Sequence, residues 1–307
     1  MAELLVLRGD ELTALVRTRT RAGRLASRAW RVVEGDLADE RALAALVEGQ
    51  DVVYHVAGLV AARDAGEFVR TNSDGASRVA RAAQRAGVGR LVLVSSLAVT
   101  GPSRPGEAVD ELSGPGPVTA YGRSKQAGER AVRETGVSLT IVRPPAVYGP
   151  RDRAFLTLFR SALRGFVPLL GDGRQELTLV HARDLARALV AAAESPRTPG
   201  GIYHAGHATP STQRELAQAI GRALGRSIRC VPLPRALVRS ALGVAGFVTR
   251  ALGGAPLLDA DKCHELLAPG WTCSSEALHR DAGWCAEIPL AVGLAETAAS
   301  YRELGWL

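Results

Sequence analysis

Tyr121 and Lys125 stand four residues apart in the segment Tyr-Gly-Arg-Ser-Lys. On a helix that spacing puts both side chains on one face, so a phenol and an ammonium project into the same space. A neighbouring cation favours the phenolate and draws a tyrosine down from about 10 towards the working range of a general acid/base. A chance Y-x-x-x-K on a solvated helix is common. Here the pair carries more weight, because lysine occurs only at positions 125 and 262 while arginine supplies nearly all the other positive charge. A guanidinium is poorly suited to bond ribose hydroxyls and adjust a phenol's proton together. Upstream, Ser95 and Ser96 follow the apolar run Arg90–Val94. A hydroxyl at the carboxyl end of a parallel strand points into the crevice where ligands bind, so Ser96 is expected to share a substrate oxygen with Tyr121. The competing reading is a serine pair that caps a turn.

These residues need a scaffold of alternating strands and helices, and the sequence supplies one. Strands are expected at Leu12–Val16, Trp30–Val33, Asp51–Val56, Arg90–Ser95 and Ser138–Val142. Helices are expected at Ala42–Val47, Phe68–Ala86 and Tyr121–Thr135. Such alternation gives βαβ units and a parallel sheet, and unbroken apolar runs such as Leu-Val-Leu-Val fit strands covered on both faces. After Arg143 the pattern breaks at Pro144, Pro145, Gly149 and Pro150. Further strands are expected only at Leu177–Val180 and near Ile202–Tyr203. The Gly/Pro-rich stretch Gly101–Pro117 is a loop placed to cover the site. Asp184 precedes an apolar helical run, Leu185–Ala193, and is expected to be its N-cap.

In this order and spacing the motifs resemble the extended short-chain dehydrogenase/reductase family. They are Ser95-Ser96-Leu-Ala-Val-Thr-Gly101, Tyr121-Gly-Arg-Ser-Lys125 and Arg143-Pro-Pro-Ala-Val-Tyr-Gly-Pro150, supported by Gly35-Asp36-Leu37, His55-Val-Ala-Gly58, Asn72 with Gly75, and Leu179-Val-His-Ala-Arg-Asp-Leu185. That family includes nucleotide-sugar epimerases and dehydratases, 3β-hydroxysteroid dehydrogenases and dihydroflavonol-type reductases. The resemblance implies a Rossmann-like, doubly wound parallel sheet with a smaller C-terminal substrate lobe. Residues 1–150 with about 177–204 would form the dinucleotide-binding domain, and about 151–176 with 205–307 the lobe. It also implies roles: Tyr121 as acid/base, Lys125 on the nicotinamide ribose, and Ser96 orienting the substrate. Asp36 and Leu37 would lie by the adenine, Ala57 and Gly58 along the cofactor, and Pro144 to Val147 beside the nicotinamide. Arg17, with Arg19 or Arg21, stands where an arginine can pair with a 2′-phosphate, which favours NADP over NAD.

The resemblance departs at the start. Met1–Gly9 reads as the last two turns of the family's first helix, with Gly9 as its C-cap, and no G-x-x-G-x-x-G occurs at a strand–helix junction. The pyrophosphate then lacks its cradle of N–H groups, and the sheet lacks the strand between its second and fourth. Three explanations are open at this stage: a start site that leaves out the beginning of an ordinary enzyme, a degenerate relative acting as a binding protein, or a partner that supplies the strand. Cofactor binding by the chain as written is expected to be weak.

Composition narrows the partners. Hydrophobic residues make up 47% of the 307 and aromatics 5%, enough for a large core built of Ala, Val and Leu. The net charge is +7, but the arginines are spread along the chain and show no nucleic-acid motif. The four cysteines form no C-x-x-C pair or metal spacing, so they read as reduced thiols, with no metal, in a cytoplasmic protein. No apolar stretch reaches the ~18 residues of a membrane span. The segment 235–252 comes nearest and is expected to be a buried or lobe-facing amphipathic helix. The partners expected are a small-molecule substrate and, in a homodimer, a second copy. The reaction implied is hydride transfer at a carbinol or ketone carbon, ending in a dehydrogenase, epimerase or dehydratase outcome. Leu97 and Ala98, where a dehydratase needs acids, and Thr100, where sugar epimerases often carry Tyr, lean towards the reductases.

Overall fold

A computed structural model describes all residues except 19, 21–29 and 257–259. Helix α1 (Ala2–Arg8) ends at Gly9, whose φ of 87° lets its N–H and that of Asp10 turn back to the carbonyls of Val6 and Leu5. Strands β1 (Thr13–Val16) and β2 (Arg31–Glu34) pair in parallel. After α2 (Glu40–Val47) come β3 (Val52–His55), α3 (Ala65–Val69) and α4 (Ala76–Arg85), then β4 (Arg90–Val94), α5 (Ala120–Arg133) and β5 (Leu139–Arg143).

The expected helix at Phe68–Ala86 starts earlier, at the Asp64 cap, and is interrupted by a π-helical turn over Arg70–Gly75. Such turns widen the helix locally and recur at functional sites.

Beyond β5 the chain continues with β6 (Ala146–Tyr148), α6 (Leu156–Leu163), β7 (Phe166–Leu170), β8 (Glu176–Leu177), β9 (Leu179–His181), α7 (Ala182–Glu194) and β10 (Ile202–His204). It closes with β11 (Ser211–Thr212), α8 (Gln213–Leu224), β12 (Arg229–Leu233), α9 (Arg235–Ala251), α10 (Lys262–Leu266), β13 (Gly270–Trp271), α11 (Glu276–Ala282) and α12 (Leu290–Glu303).

The central sheet runs β10-β5-β4-β3, all parallel. Alternate residues of its strands feed two cores, as period-two geometry requires. Leu91, Leu93, Leu139 and Ile141 pack beneath α2, α4 and α5. Val92, Val94 and Val142 pack beneath α7, with Leu278 and Trp284. Ala76, Ala80, Ala82 and Ala83 of α4 are buried, and their small size lets that helix lie close on the sheet. A third core joins α6, α8 and α12 to β7 and β9. Among the described residues β1 pairs only with β2, and β3 only with β4. Among the described residues these parallel strands therefore form two separate pieces, β1-β2 and β10-β5-β4-β3.

Two expectations are corrected. Asp184 is not a cap: α7 begins at Ala182 behind His181, whose ring accepts the Arg183 N–H. The Asp184 carboxylate instead accepts the Ile288 N–H at 2.9 Å and pairs with Arg187. The region after 150 also holds more strand than expected. β7 and β12 each contain a proline, Pro168 and Pro232, and in a two-stranded pair each strand has an outer edge where a missing N–H costs nothing.

Candidate active site

Ser96 follows β4 and caps the short 3₁₀ turn Leu97–Val99, accepting the Ala98 N–H at 3.1 Å. The turn-capping reading of this serine is therefore observed. The Pro144 carbonyl, just past β5, accepts the Leu97 N–H at 2.9 Å and fixes the turn to the neighbouring strand end.

Helix α5 starts at the Thr119 cap and is wedged between this turn and the π-helical turn. A methyl group at Gly122 would fall 2.6 Å from the Ala98 carbonyl oxygen, and one at Gly128 would fall 2.2 Å from that of Asn72. Only glycine permits both approaches, and together they set the position of Tyr121 and Lys125. The sequence motif Y-x-x-x-K gave no sign of these two constraints.

Tyr121 packs beside Phe68, with ring centroids 6.0 Å apart. Burial pushes its phenol above the usual tyrosine value, Ser96 beside it pulls the other way, and Glu265 adds to the rise. The expected lowering by Lys125 is outweighed, since burial dominates and the ammonium is engaged elsewhere. Lys125 Nζ donates to the Val94 carbonyl at 2.7 Å. Burial lowers its pKa from 10.5 to about 8, opposed by Glu129. Buried His55 lies near it and is pushed down to about 4 by burial and by Lys125.

The folded pKa of Lys125 lies below its unfolded value, so the cost of burying the cation is fully present below pH 8. It fades as pH rises towards 10.5, because the unfolded chain then sheds the same proton. Lys125→Met is expected to raise stability by about 1–3 kcal/mol at pH 7 and by little near pH 10.5, while abolishing turnover. Thermal unfolding at the two pH values checks the sign; an equal gain at both would show that burial of charge is not the cause.

Asn72 was noted in the sequence without a role. Its amide brackets Leu59, accepting the N–H at 2.8 Å and donating to the carbonyl at 3.0 Å, and it donates to Ser124 Oγ at 2.9 Å. It thereby ties the loop after β3 to α5. Below the site lies a buried network that the sequence did not disclose. Arg143 grips Glu129 through two bonds of 2.8 and 2.7 Å, Ser95 donates to the same carboxylate at 2.6 Å, and Arg143 reaches Thr100 at 3.2 Å. Thr100 contacts His204 Nε2 at 3.0 Å, and Glu111 accepts the His204 backbone N–H at 2.8 Å. The loop 101–117 is thus anchored rather than a free cover, with further bonds from Ser103 N–H to Gly270 and from Val109 N–H to Thr272.

The residues expected to hold a dinucleotide fall at the strand ends. Gly58 follows β3 with its backbone exposed, and a methyl there would meet Asn72 Oδ1 at 3.1 Å and Lys125 Nζ at 3.3 Å. A cofactor passing Ala57 and Gly58 by backbone, with Lys125 behind, fits this cradle. Asp36 accepts the Ala38 N–H at 2.8 Å, and Leu37 packs on Gly75. Arg17 is exposed just past β1; Arg19 and Arg21 lie outside the described residues. Pro144 is buried next to Leu97, and Val147 sits in β6 opposite Val180. Among the described residues no G-x-x-G-x-x-G segment stands at a strand–helix junction.

Beside Tyr121 opens a cavity lined by the apolar Val60, Ala62, Phe68 and Pro256 together with the charged Arg63, Asp64, Asp261 and Lys262.

Residues 1–206 match the NAD dependent epimerase/dehydratase family. The chain belongs to that family. It is 34% identical to a ceramide reductase of Caulobacter vibrioides over 278 residues, 90% of this chain and 82% of that protein. It is 31% identical over 257 residues to a 4-hydroxy-2-methyl-3-oxo-4-farnesyl-3,4-dihydroquinoline-1-oxide ketoreductase of Stigmatella aurantiaca, 81% of this chain and 76% of that protein. It is also 31% identical over 220 residues to a dTDP-glucose 4,6-dehydratase of Streptomyces niveus, 67% of this chain and 65% of that protein. The crystal structure of gox2253 superposes with a TM-score of 0.82 at 23% identity, covering all of this chain and 94% of that one. The relatives are thus reductases and dehydratases of one fold, and the family is NAD-dependent. Among the described residues no group of His, Cys, Asp or Glu is placed to hold a metal ion.

Proposed function

We propose that the chain is an NAD(P)-dependent ketoreductase whose substrate carries a long apolar chain. The observation that carries this reading is the cavity at Tyr121, which has an apolar wall of Val60, Ala62, Phe68 and Pro256 beside the charged Arg63, Asp64, Asp261 and Lys262. Two of the relatives are named as reductases of lipid-like or farnesyl-bearing substrates. The dehydratase relative is the counter-example, but Leu97 and Ala98 stand beside Ser96 with no acid among them, and a dehydratase needs such acids to expel water.

When bound, a reduced nicotinamide would supply the hydride for the carbonyl carbon. The chain's own residues manage the oxygen. Tyr121, kept protonated by burial, gives its phenolic proton to the developing alkoxide. Ser96 donates a hydrogen bond to the same oxygen. Lys125, on the same face of α5, holds the ribose and supports the phenolate left behind. Asp36, Leu37, Ala57, Gly58, Pro144 and Val147 line the path of the dinucleotide, and exposed Arg17 favours NADP through its reach to a 2′-phosphate.

The test is NADPH and NADH consumption with a 3-oxo amide or 3-oxo ester bearing a C12 chain, against a nucleotide-diphosphate sugar. At a cofactor concentration raised to offset the weak binding expected of the chain as written, turnover of the long-chain ketone and none of the sugar is expected. The reverse pattern overturns the proposal in favour of an epimerase or dehydratase.

A further inference from the structure

Helix α9 carries an apolar face that nothing among the described residues covers. Val238 is its buried contact, at 5% exposure, whereas Leu237, Val244, Phe247 and Leu252 are 57%, 64%, 73% and 83% exposed. Leu237, Ala241, Val244 and Val248 recur at spacings of four, three and four residues, so they form one stripe, and Phe247 flanks it. The sequence periodicity showed this amphipathicity and suggested burial in the lobe; the structure turns the apolar stripe outward instead.

The charge on this element has one sign. From Arg235 to Pro256 the chain has three arginines and no Asp or Glu. Arg235 and Arg239 are exposed and project from the side of the helix away from Leu237 and Val244. With the stripe immersed, they stand at the level of lipid headgroups, and their length lets them reach phosphate. A second copy of the chain seated on the stripe would leave these arginines on the far side, with no acid on α9 to answer them. Anionic headgroups answer them directly. No helix among the described residues is long and apolar enough to cross a membrane, so α9 would lie in the surface.

We propose that α9 docks the protein on an anionic lipid bilayer, with its Leu237–Val248 stripe immersed and Arg235 and Arg239 on the headgroups. The position of the helix gives the docking a use. The chain leaving α9 reaches Pro256, which lines the cavity at Tyr121. Asp261 accepts the Ala120 N–H at 2.7 Å and pairs with Arg123 at 3.6 Å, so the chain beyond α9 contacts the first turn of α5. A long-chain ketone leaving the bilayer enters beside Phe68 and Tyr121. This last step rests on the proposed lipid-chain substrate; the docking itself does not.

The experiment is co-sedimentation of the whole chain with vesicles of phosphatidylglycerol and phosphatidylcholine, and with phosphatidylcholine alone, for the wild type and Val244→Glu/Phe247→Glu. Both positions are solvent-facing, so equal thermal midpoints for the two proteins are expected. The wild type should pellet with the anionic vesicles, at least ten-fold more weakly with phosphatidylcholine alone, and less as salt is raised. The double variant should partition at least ten-fold more weakly than the wild type. A wild type that stays in the supernatant, or a variant that pellets equally, overturns the proposal. So does size-exclusion chromatography in which the substitutions convert a dimer to a monomer, since a second copy then covers the face. Ketone turnover is measured separately, so failure of the ketoreductase reading leaves the vesicle result standing.

Discussion

Tyr121→Phe is expected to lower kcat for ketone reduction by about 10²–10⁴-fold, the usual contribution of a positioned general acid, with KM and the thermal midpoint nearly unchanged. The substitution removes one oxygen and keeps the ring that packs on Phe68, so the wedge of α5 is preserved. The size of the effect follows from what surrounds the phenol. Burial holds it protonated, which suits a group that must deliver a proton rather than take one. In the variant, Ser96 remains to donate a hydrogen bond, but it holds its proton too firmly to replace the phenol as acid. A fall in kcat without a rise in KM marks an interaction made only in the transition state. The measurement is the steady-state rate of NADPH consumption by parent and variant, and equal rates would remove Tyr121 from the chemistry.

Much of the scaffold behind that chemistry could be read from local pattern. The runs Leu91–Val94 and Leu139–Val142 are strands because nothing but β-branched and aliphatic residues fills them, and Gly9 ends α1 because it alone turns left-handed there cheaply. What escaped reading depends on residues far apart in sequence. Asp184 looked like a cap because a carboxylate before an apolar helix usually is one, and its partner Ile288 lies far along the chain. The π turn at Arg70–Gly75 leaves no mark in composition, since it is a one-residue change in hydrogen-bond register that places Asn72 against Gly128. The acid–base setting of Tyr121 was read from its nearest charge, Lys125, while burial, a property of the whole fold, outweighed it. Helix α9 shows the same limit from the other side: periodicity identifies an apolar face but not what covers it.

Arg143→Met is the substitution expected to damage the fold most, by about 3–5 kcal/mol, because it leaves a buried carboxylate without its cation. Glu129 is 1% exposed and Arg143 4%. Arg133 lies 3.6 Å from the same carboxylate but is largely in solvent, so it can replace little of the lost pairing. Glu129→Met/Arg143→Met should recover at least half of the loss, since two apolar side chains leave no buried charge. It should not recover all of it, because Ser95 and Thr100 then lose charged partners at 2.6 and 3.2 Å. Urea unfolding of the three proteins reads these differences. A single variant within ~1 kcal/mol of the wild type would show that the pair is solvated after all. The same network reaches the active site, for Ser95 and Thr100 bracket the turn that carries Ser96. At a temperature where both variants are folded, the double variant should still reduce ketone more slowly than the wild type while Tyr121 and Lys125 are intact. The charge pair then serves less to stabilise the fold, which two methionines could do nearly as well, than to hold the Ser96 turn against α5.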